Sequence, residues 1–200
     1  MISFFFLVIL YFAFSWGLPW HELPSTISFS YVFDLAFALV ICFFFKLPWK
    51  FKWKGLRNFT IFTTQAIFLA LFSIAAAWFW SMPVPFRLVT NLEWHLLLFA
   101  PVLEELIFRQ TFQRFLIKRL GGKRVTSMLV AAIFAFSHLI ALRVLPAEYI
   151  PFVGFQVFYT FVLGVICGQA LLRSHSILSP ILIHFLFNLC FYIAVQLGVL

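Results

Sequence analysis

The chain has 200 residues, of which 64% are hydrophobic and 10% charged, with 31 Phe and a net charge of +8. A soluble domain of this length needs far more polar surface to cover itself, so the composition excludes a water-soluble globule and predicts one polytopic membrane domain over 1–200 with no separate soluble part. The positive charge would suggest nucleic acid in a soluble protein; here it sits in short loops between apolar runs, so the expected partner is the lipid bilayer and no nucleic acid.

Runs of about 20 apolar residues recur along the chain, the length a helix needs to cross a bilayer. The first predicted span covers 2–18. It has no basic leading segment and no small-residue cleavage site, so it is expected to be a retained helix rather than a removed signal peptide. A polar turn over 19–26 leads to the second span, 27–45, which contains Asp34. Lys46, Lys50, Lys52, Lys54 and Arg57 follow, interleaved with Trp and Phe. That pattern suits an anionic membrane face with aromatics at headgroup level, and equally a plain topology-setting loop. The third span is 59–80, and a turn extends to residue 93.

The fourth span, 94–117, carries Glu104, Glu105 and Arg109. It runs out into Lys118, Arg119, Gly121-Gly122, Lys123 and Arg124, basic residues around a helix stop. The fifth span is 125–145 and the sixth 151–172. A short loop, Arg173 to Ser176, precedes the seventh span near Ser179-Pro180, where Ser can cap and Pro fits the first turn. The fold class expected is an all-α transmembrane bundle of about seven spans, with any site in its core. Cys42, Cys167 and Cys190 lie in apolar runs without a C-x-x-C pair and read as packing residues.

Loop charge predicts orientation. The loops after spans two, four and six hold the five cations of 46–57, then Arg114, Lys118, Arg119, Lys123 and Arg124, then Arg173, whereas the opposite side holds Arg87 and Arg143. The positive-inside rule then places the N-terminus inside and the C-terminus outside. A multi-pass protein of the cell inner membrane is expected.

Charges inside an apolar span are costly, roughly 2.5–3.5 kcal/mol each on an insertion scale, so three within residues 104–109 need a reason. Glu105 and Arg109 are four apart, share a helical face and can pair. Glu104 is rotated about 100° away and is left free for chemistry. Two other spans carry polar residues at similar depth: His138 in span five, and His184 and Asn188, four apart, in span seven. A carboxylate, two imidazoles and an amide can therefore meet inside the bundle. Such a set can hydrolyse a peptide bond: Glu as general base, one His holding the attacking water, the other His and Asn donating to the oxyanion. Water must reach it, which implies a cavity open to one face.

A lone intramembrane His commonly serves interhelical hydrogen bonding, and a Glu–Arg pair can be a clamp. It is the placement on three different spans that argues for a site. Asp34, single, and His95, at a span end, read as structural, and His21 and His175 lie in loops. The competing functions are a proton- or ion-coupled transporter, against which stands the absence of a repeated half, and a non-catalytic immunity or regulatory membrane protein. A zinc site built from Glu104, His138 and His184 is the alternative to a metal-free, cofactor-free mechanism. The chain lacks H-E-x-x-H, and no further acidic cluster is evident to orient the imidazoles.

The run Glu104-Glu105-x-x-x-Arg109, then Phe134-x-x-x-His138, then His184-x-x-x-Asn188 resembles the three-motif pattern of the CPBP intramembrane proteases. These include the type II CAAX prenyl endopeptidases and the bacterial Abi proteins linked to bacteriocin processing or self-immunity. The resemblance covers about half the chain, residues 94–197. It implies an intramembrane endopeptidase acting on a membrane-associated protein or peptide. By the same resemblance, Glu104 activates water with His138, His184 and Asn188 support the water or the oxyanion, and Glu105 and Arg109 hold the motif in place. The chain is expected to stop after the third-motif helix, one helix short of the usual prenyl endopeptidase. The family name leaves open whether a metal takes part.

Overall fold

The computed structural model describes residues 2–17, 29–51, 56–88 and 91–200. Every regular element among them is helical. We number the helices α1 (Ile2–Gly17), α2 (Phe29–Phe44), α3 (Leu56–Phe79), α4 (94–120), α5 (Lys123–Ser137, tightening into a 3₁₀ turn over His138–Arg143), α6 (Ile150–Ser174) and α7 (Leu178–Gln196). Among the described residues, four stretches are long and apolar enough to cross a membrane: Arg57–Phe79, Lys123–Arg143, Ala147–Ser174 and Leu178–Gln196. Phe4–Gly17 and Ser30–Phe44 are apolar but shorter. This is the expected all-α bundle. His21 and the turn at 19–26 lie outside the described residues.

Two apolar cores share the bundle. In one, Phe4 and Tyr11 of α1 and Ala38 and Cys42 of α2 meet Phe108, Phe112 and Phe115 of α4 and Phe134 of α5. In the other, Ala66 and Ala70 of α3 pack with Tyr159 and Leu163 of α6 and Phe187 and Phe191 of α7. Helix α4 runs between them. Its first half leans on α7 and its second half on α2 and α5. It is not a regular helix: the turns over Trp94–Phe99 and Leu106–Gln113 are widened into π-helical form on either side of Ala100–Glu105. Such widened turns recur at functional sites because they re-aim side chains.

The helix ends follow local chemistry. Gly121, at φ 71°, takes the left-handed position that ends α4, as the Gly-Gly pair predicts. The start of α7 differs from expectation. Ser179 lies inside the helix with its hydroxyl buried and unpartnered, whereas Ser176 Oγ accepts from the Leu178 N–H at 3.3 Å. The serine just before the helix start at Ile177 serves this first-turn N–H instead, after the chain turns through left-handed His175, φ 57°.

Loops alternate between two ends. At one, Lys118 Nζ donates to the Phe45 carbonyl at 2.7 Å, Gln110 to that of Pro48 at 3.2 Å, and the Ile177 N–H to that of Lys50 at 3.0 Å. A pocket of about 330 Å³ there is walled by Lys46, Arg114, Lys118 and Lys123. At the other end, the ring of Phe86 packs 5.6 Å from Phe152 and 5.8 Å from Phe191, and Arg143 donates to the Trp16 carbonyl.

Candidate active site

Helices α4 to α7 enclose a cavity of about 160 Å³ whose walls include Glu104, His138, His184 and Asn188. All four residues proposed from the sequence to do chemistry are therefore gathered in one place. Apolar side chains, among them Leu96, Leu163, Phe187 and Phe191, form much of the remaining wall.

The two adjacent glutamates face different surroundings. Glu105 is fully buried, whereas the side chain of Glu104 keeps 31% of its surface open. Glu105 Oε2 lies 3.0 Å from Arg109 Nε, the pair expected from their spacing. The contact brings charges together without the alignment of a hydrogen bond. Arg109 also donates to the Gly164 carbonyl at 3.3 Å and lays its guanidinium 4.5 Å from the centre of the Phe134 ring.

Glu105 has a second partner that spacing does not reveal. Its Oε1 is 2.9 Å from His184 Nδ1. A carboxylate has two oxygens and can serve a cation on its own helix and an imidazole on another at once. The sequence shows no further acidic cluster to orient the imidazoles; a single carboxylate, Glu105, orients that of His184. Facing a carboxylate, Nδ1 carries the proton, and Nε2 of the same ring points at Glu104 Oε2, 3.7 Å away. Glu104 is thus not without a partner, as its helical angle had suggested. The partner comes from α7.

His138 is set by its own helix. Its Nδ1 is 3.0 Å from the Phe134 carbonyl. A carbonyl can only accept, so the proton sits on Nδ1 and Nε2 is left for the cavity. The ring meets Phe134 edge-on at 5.0 Å, and Phe134 in turn stands 5.9 Å from the His184 ring. Phe134, fully buried, therefore touches Arg109 and both imidazoles.

Asn188 Nδ2 donates to the Leu96 carbonyl at 2.8 Å. In this widened turn the Ala100 N–H bonds to His95 O. The next bond in the series would join residue 101 to Leu96, but Pro101 has no N–H. Asn188 fills that vacancy and ties α7 to α4. One amide hydrogen and the amide oxygen remain for the cavity.

Sequence reasoning passed over Gln156, Tyr159 and Thr160 of α6, which also line the cavity. The signal was available: Gln156 and Thr160 are polar residues four apart within an apolar span. The Thr160 hydroxyl donates to the Gln156 backbone carbonyl at 2.7 Å and so is spent within α6. His95 and Asp34 stand apart from the cavity. His95 contacts the Tyr31 hydroxyl, and Asp34 accepts from that of Tyr11 at 2.9 Å. Both tie neighbouring helices together.

A model of the type II CAAX prenyl endopeptidase Rce1-like family matches residues 2–190. The chain belongs to this Rce1-like family. The match extends well beyond 94–197 and takes in α1 to α3, which the sequence motifs had left as unspecified apolar helices. No curated protein and no solved structure matches the chain. Membership, together with the apolar helices, makes this an integral membrane protein of an endopeptidase family with a membrane-associated protein as substrate.

Among the described residues, no group of three or more His, Cys, Asp or Glu side chains is placed to hold a metal. Glu104, His138 and His184 share the cavity wall without converging into such a set.

Proposed function

We propose that the chain is an intramembrane endopeptidase of the cell inner membrane in which Glu104 activates water. The observation that carries this reading is the 3.7 Å gap between Glu104 Oε2 and His184 Nε2. Both atoms are acceptors once Glu105 holds the proton on Nδ1. They are too far apart to bond directly, and a water donating one hydrogen to each has its lone pairs turned into the cavity. As the water attacks a peptide carbonyl, Glu104 takes its proton, and the C–N bond then breaks as that proton passes to the leaving amine. In this reading His184 rather than His138 holds the water, supported by the 3.7 Å between its Nε2 and Glu104 Oε2. The second N–H of Asn188 is left to meet the oxyanion, and His138 Nε2 faces the same cavity as an acceptor.

Glu104→Gln, His138→Ala and His184→Ala should each abolish cleavage of a membrane-tethered peptide while the protein stays in the membrane. Wild-type cleavage by Glu104→Gln would refute the assignment of the base. A transporter would instead lose flux in that variant, and an immunity scaffold would lose neither.

In this reading no metal takes part, since the three candidate ligands come from three helices and do not form a coordination group. Elemental analysis of active enzyme tests it. Near-stoichiometric zinc, with activity lost on chelation and restored by zinc, would overturn it.

A further inference from the structure

The basic end of the bundle holds a second cavity, of about 330 Å³, that shares no residue with the one around Glu104. Its polar walls are cationic: Lys46 just past α2, Arg114 and Lys118 one turn apart on α4, and Lys123 at the start of α5. No acidic residue lines it. Glu93 and Glu148 precede α4 and α6, at the far ends of those helices. Positive charges around one hollow repel each other, and among the described residues no carboxylate pairs with any of the four.

Arg114 carries the strongest demand for an anion. Its side chain is half-buried, and its Nε and Nη2 are closed to water without a hydrogen-bond partner. A desolvated guanidinium with unused donors is costly unless a negative charge answers it. Lys118, by contrast, spends one of its three donors on the Phe45 carbonyl at 2.7 Å. The rest of the wall is largely apolar: Leu47 and Leu171 are buried, Ile117 and Leu172 half-buried. Next to Lys46 and Lys123 in the chain, Phe43, Phe44 and Val125 are 80%, 72% and 74% exposed. Apolar side chains left this open mark a surface that meets lipid. The hollow therefore lies where acyl chains give way to headgroups.

We propose that this pocket binds the phosphate of an anionic phospholipid from the leaflet at the basic end, with Arg114 as the central ligand and the lysines around it. Guanidinium and ammonium donors facing one hollow are the set that phosphate oxygens take. Basic pockets between spanning helices hold lipid headgroups in this way. The apolar wall accommodates the start of an acyl chain, which a free phosphate ion lacks. A lipid seated here links the end of α2, the second half of α4 and the start of α5 through one anion. The site does not depend on the protease reading.

The experiment uses the full-length protein purified in a non-ionic detergent. Its melting temperature is read with phosphatidylglycerol, phosphatidylcholine, glycerol phosphate or inorganic phosphate added, and native mass spectrometry counts retained lipid. Phosphatidylglycerol should raise the melting temperature and stay bound at one per chain. Phosphatidylcholine, whose ammonium the pocket repels, should do neither, and the two water-soluble phosphates should leave the melting temperature unchanged at the same concentration. The double variant Lys46→Gln, Lys123→Gln, at two exposed positions, should abolish the rise. The double variant Lys50→Gln, Arg173→Gln removes the same charge outside the pocket wall and should keep it. Arg114→Gln should lose the retained lipid; where that variant does not fold, the lysine pair decides. Equal loss in both double variants would reveal general surface attraction and overturn the site, as would no rise with phosphatidylglycerol or an equal rise with phosphatidylcholine. A folded Arg114→Gln that retains the lipid would overturn Arg114 as its ligand. An equal rise with glycerol phosphate or inorganic phosphate would overturn the lipid as the occupant.

Discussion

Arg109 has no exposed surface, and its guanidinium is held by Glu105 at 3.0 Å, the Gly164 carbonyl at 3.3 Å and the face of Phe134 at 4.5 Å. Removing one member of a buried ion pair leaves the other uncompensated, at a cost of roughly 3–5 kcal/mol. Here the stranded group would be Glu105, which also holds the proton on His184. Arg109→Ala should therefore lower the melting temperature of purified protein and lose activity as well. Glu104→Gln, which alters a side chain open to the cavity, should leave the melting temperature close to wild type. Equal melting temperatures for the two variants would remove the structural role of the pair. At this scale the residue types were readable in advance, because charged and imidazole side chains in apolar spans stand out. What spacing could not reveal was which atoms meet between helices. The His184 contact with Glu105 joins positions 79 apart in sequence, and Asn188 answers a carbonyl freed by a proline on another helix.

Helix α6 approaches α5 and α4 through Gly164 and Gly168. A Cβ at Gly164 would lie 3.0 Å from Ala131, and one at Gly168 would lie 2.2 Å from Ser127 Oγ. Small residues let helix backbones come this close in a membrane. The same glycines turn their carbonyls to Arg109 and Gln113, which are likewise four apart, so one ladder sets the depth of α4 and hence the position of Glu104. Gly168→Ala should destabilise the protein by roughly 1–3 kcal/mol, as overpacking does, read as a lower melting temperature in detergent. Ser127→Ala on top of it removes the clashing hydroxyl and leaves contacts of 3.1 Å with Gln113 Oε1, the end of a flexible side chain, and 3.4 Å with Ser127 Cβ, so the double variant should recover much of the loss. No recovery would show that the Gly168 position is limited by something other than Ser127. The pattern Gly164-x-x-x-Gly168 is visible in the sequence, but its partner face on α5 is not, since Ser127 and Ala131 are unremarkable within their span. The widened turns of α4 were equally hidden, because residue spacing presumes a regular helix.

For the whole molecule, the number of crossings is the property that sequence and structure constrain from different sides. Apolar runs predict about seven. By length and apolarity alone, four helices qualify outright. Helix α4 fails on its charges, and α1 and α2 are the short pair. A reporter placed after residue 55, 90, 122, 148 or 174 should read inside, outside, inside, outside, inside. That series alone does not test α1 and α2: a hairpin that dips in and returns leaves every later loop on the same side as one that crosses twice. The decisive position is the segment 18–28 between them. The structure places Trp16 at the end of α1 against Arg143, at the end of the bundle away from the basic loops, and Lys46 at the end of α2 at the basic end. Both helices therefore run between the two ends of the bundle, and a reporter inserted in 18–28 should read outside while one after residue 55 reads inside. If both read inside with the remaining series intact, α1 and α2 form a re-entrant hairpin and the chain has five crossings. If two neighbouring reporters beyond residue 55 share a side, the alternation itself fails, and with it the assignment of the basic end to the cytoplasm.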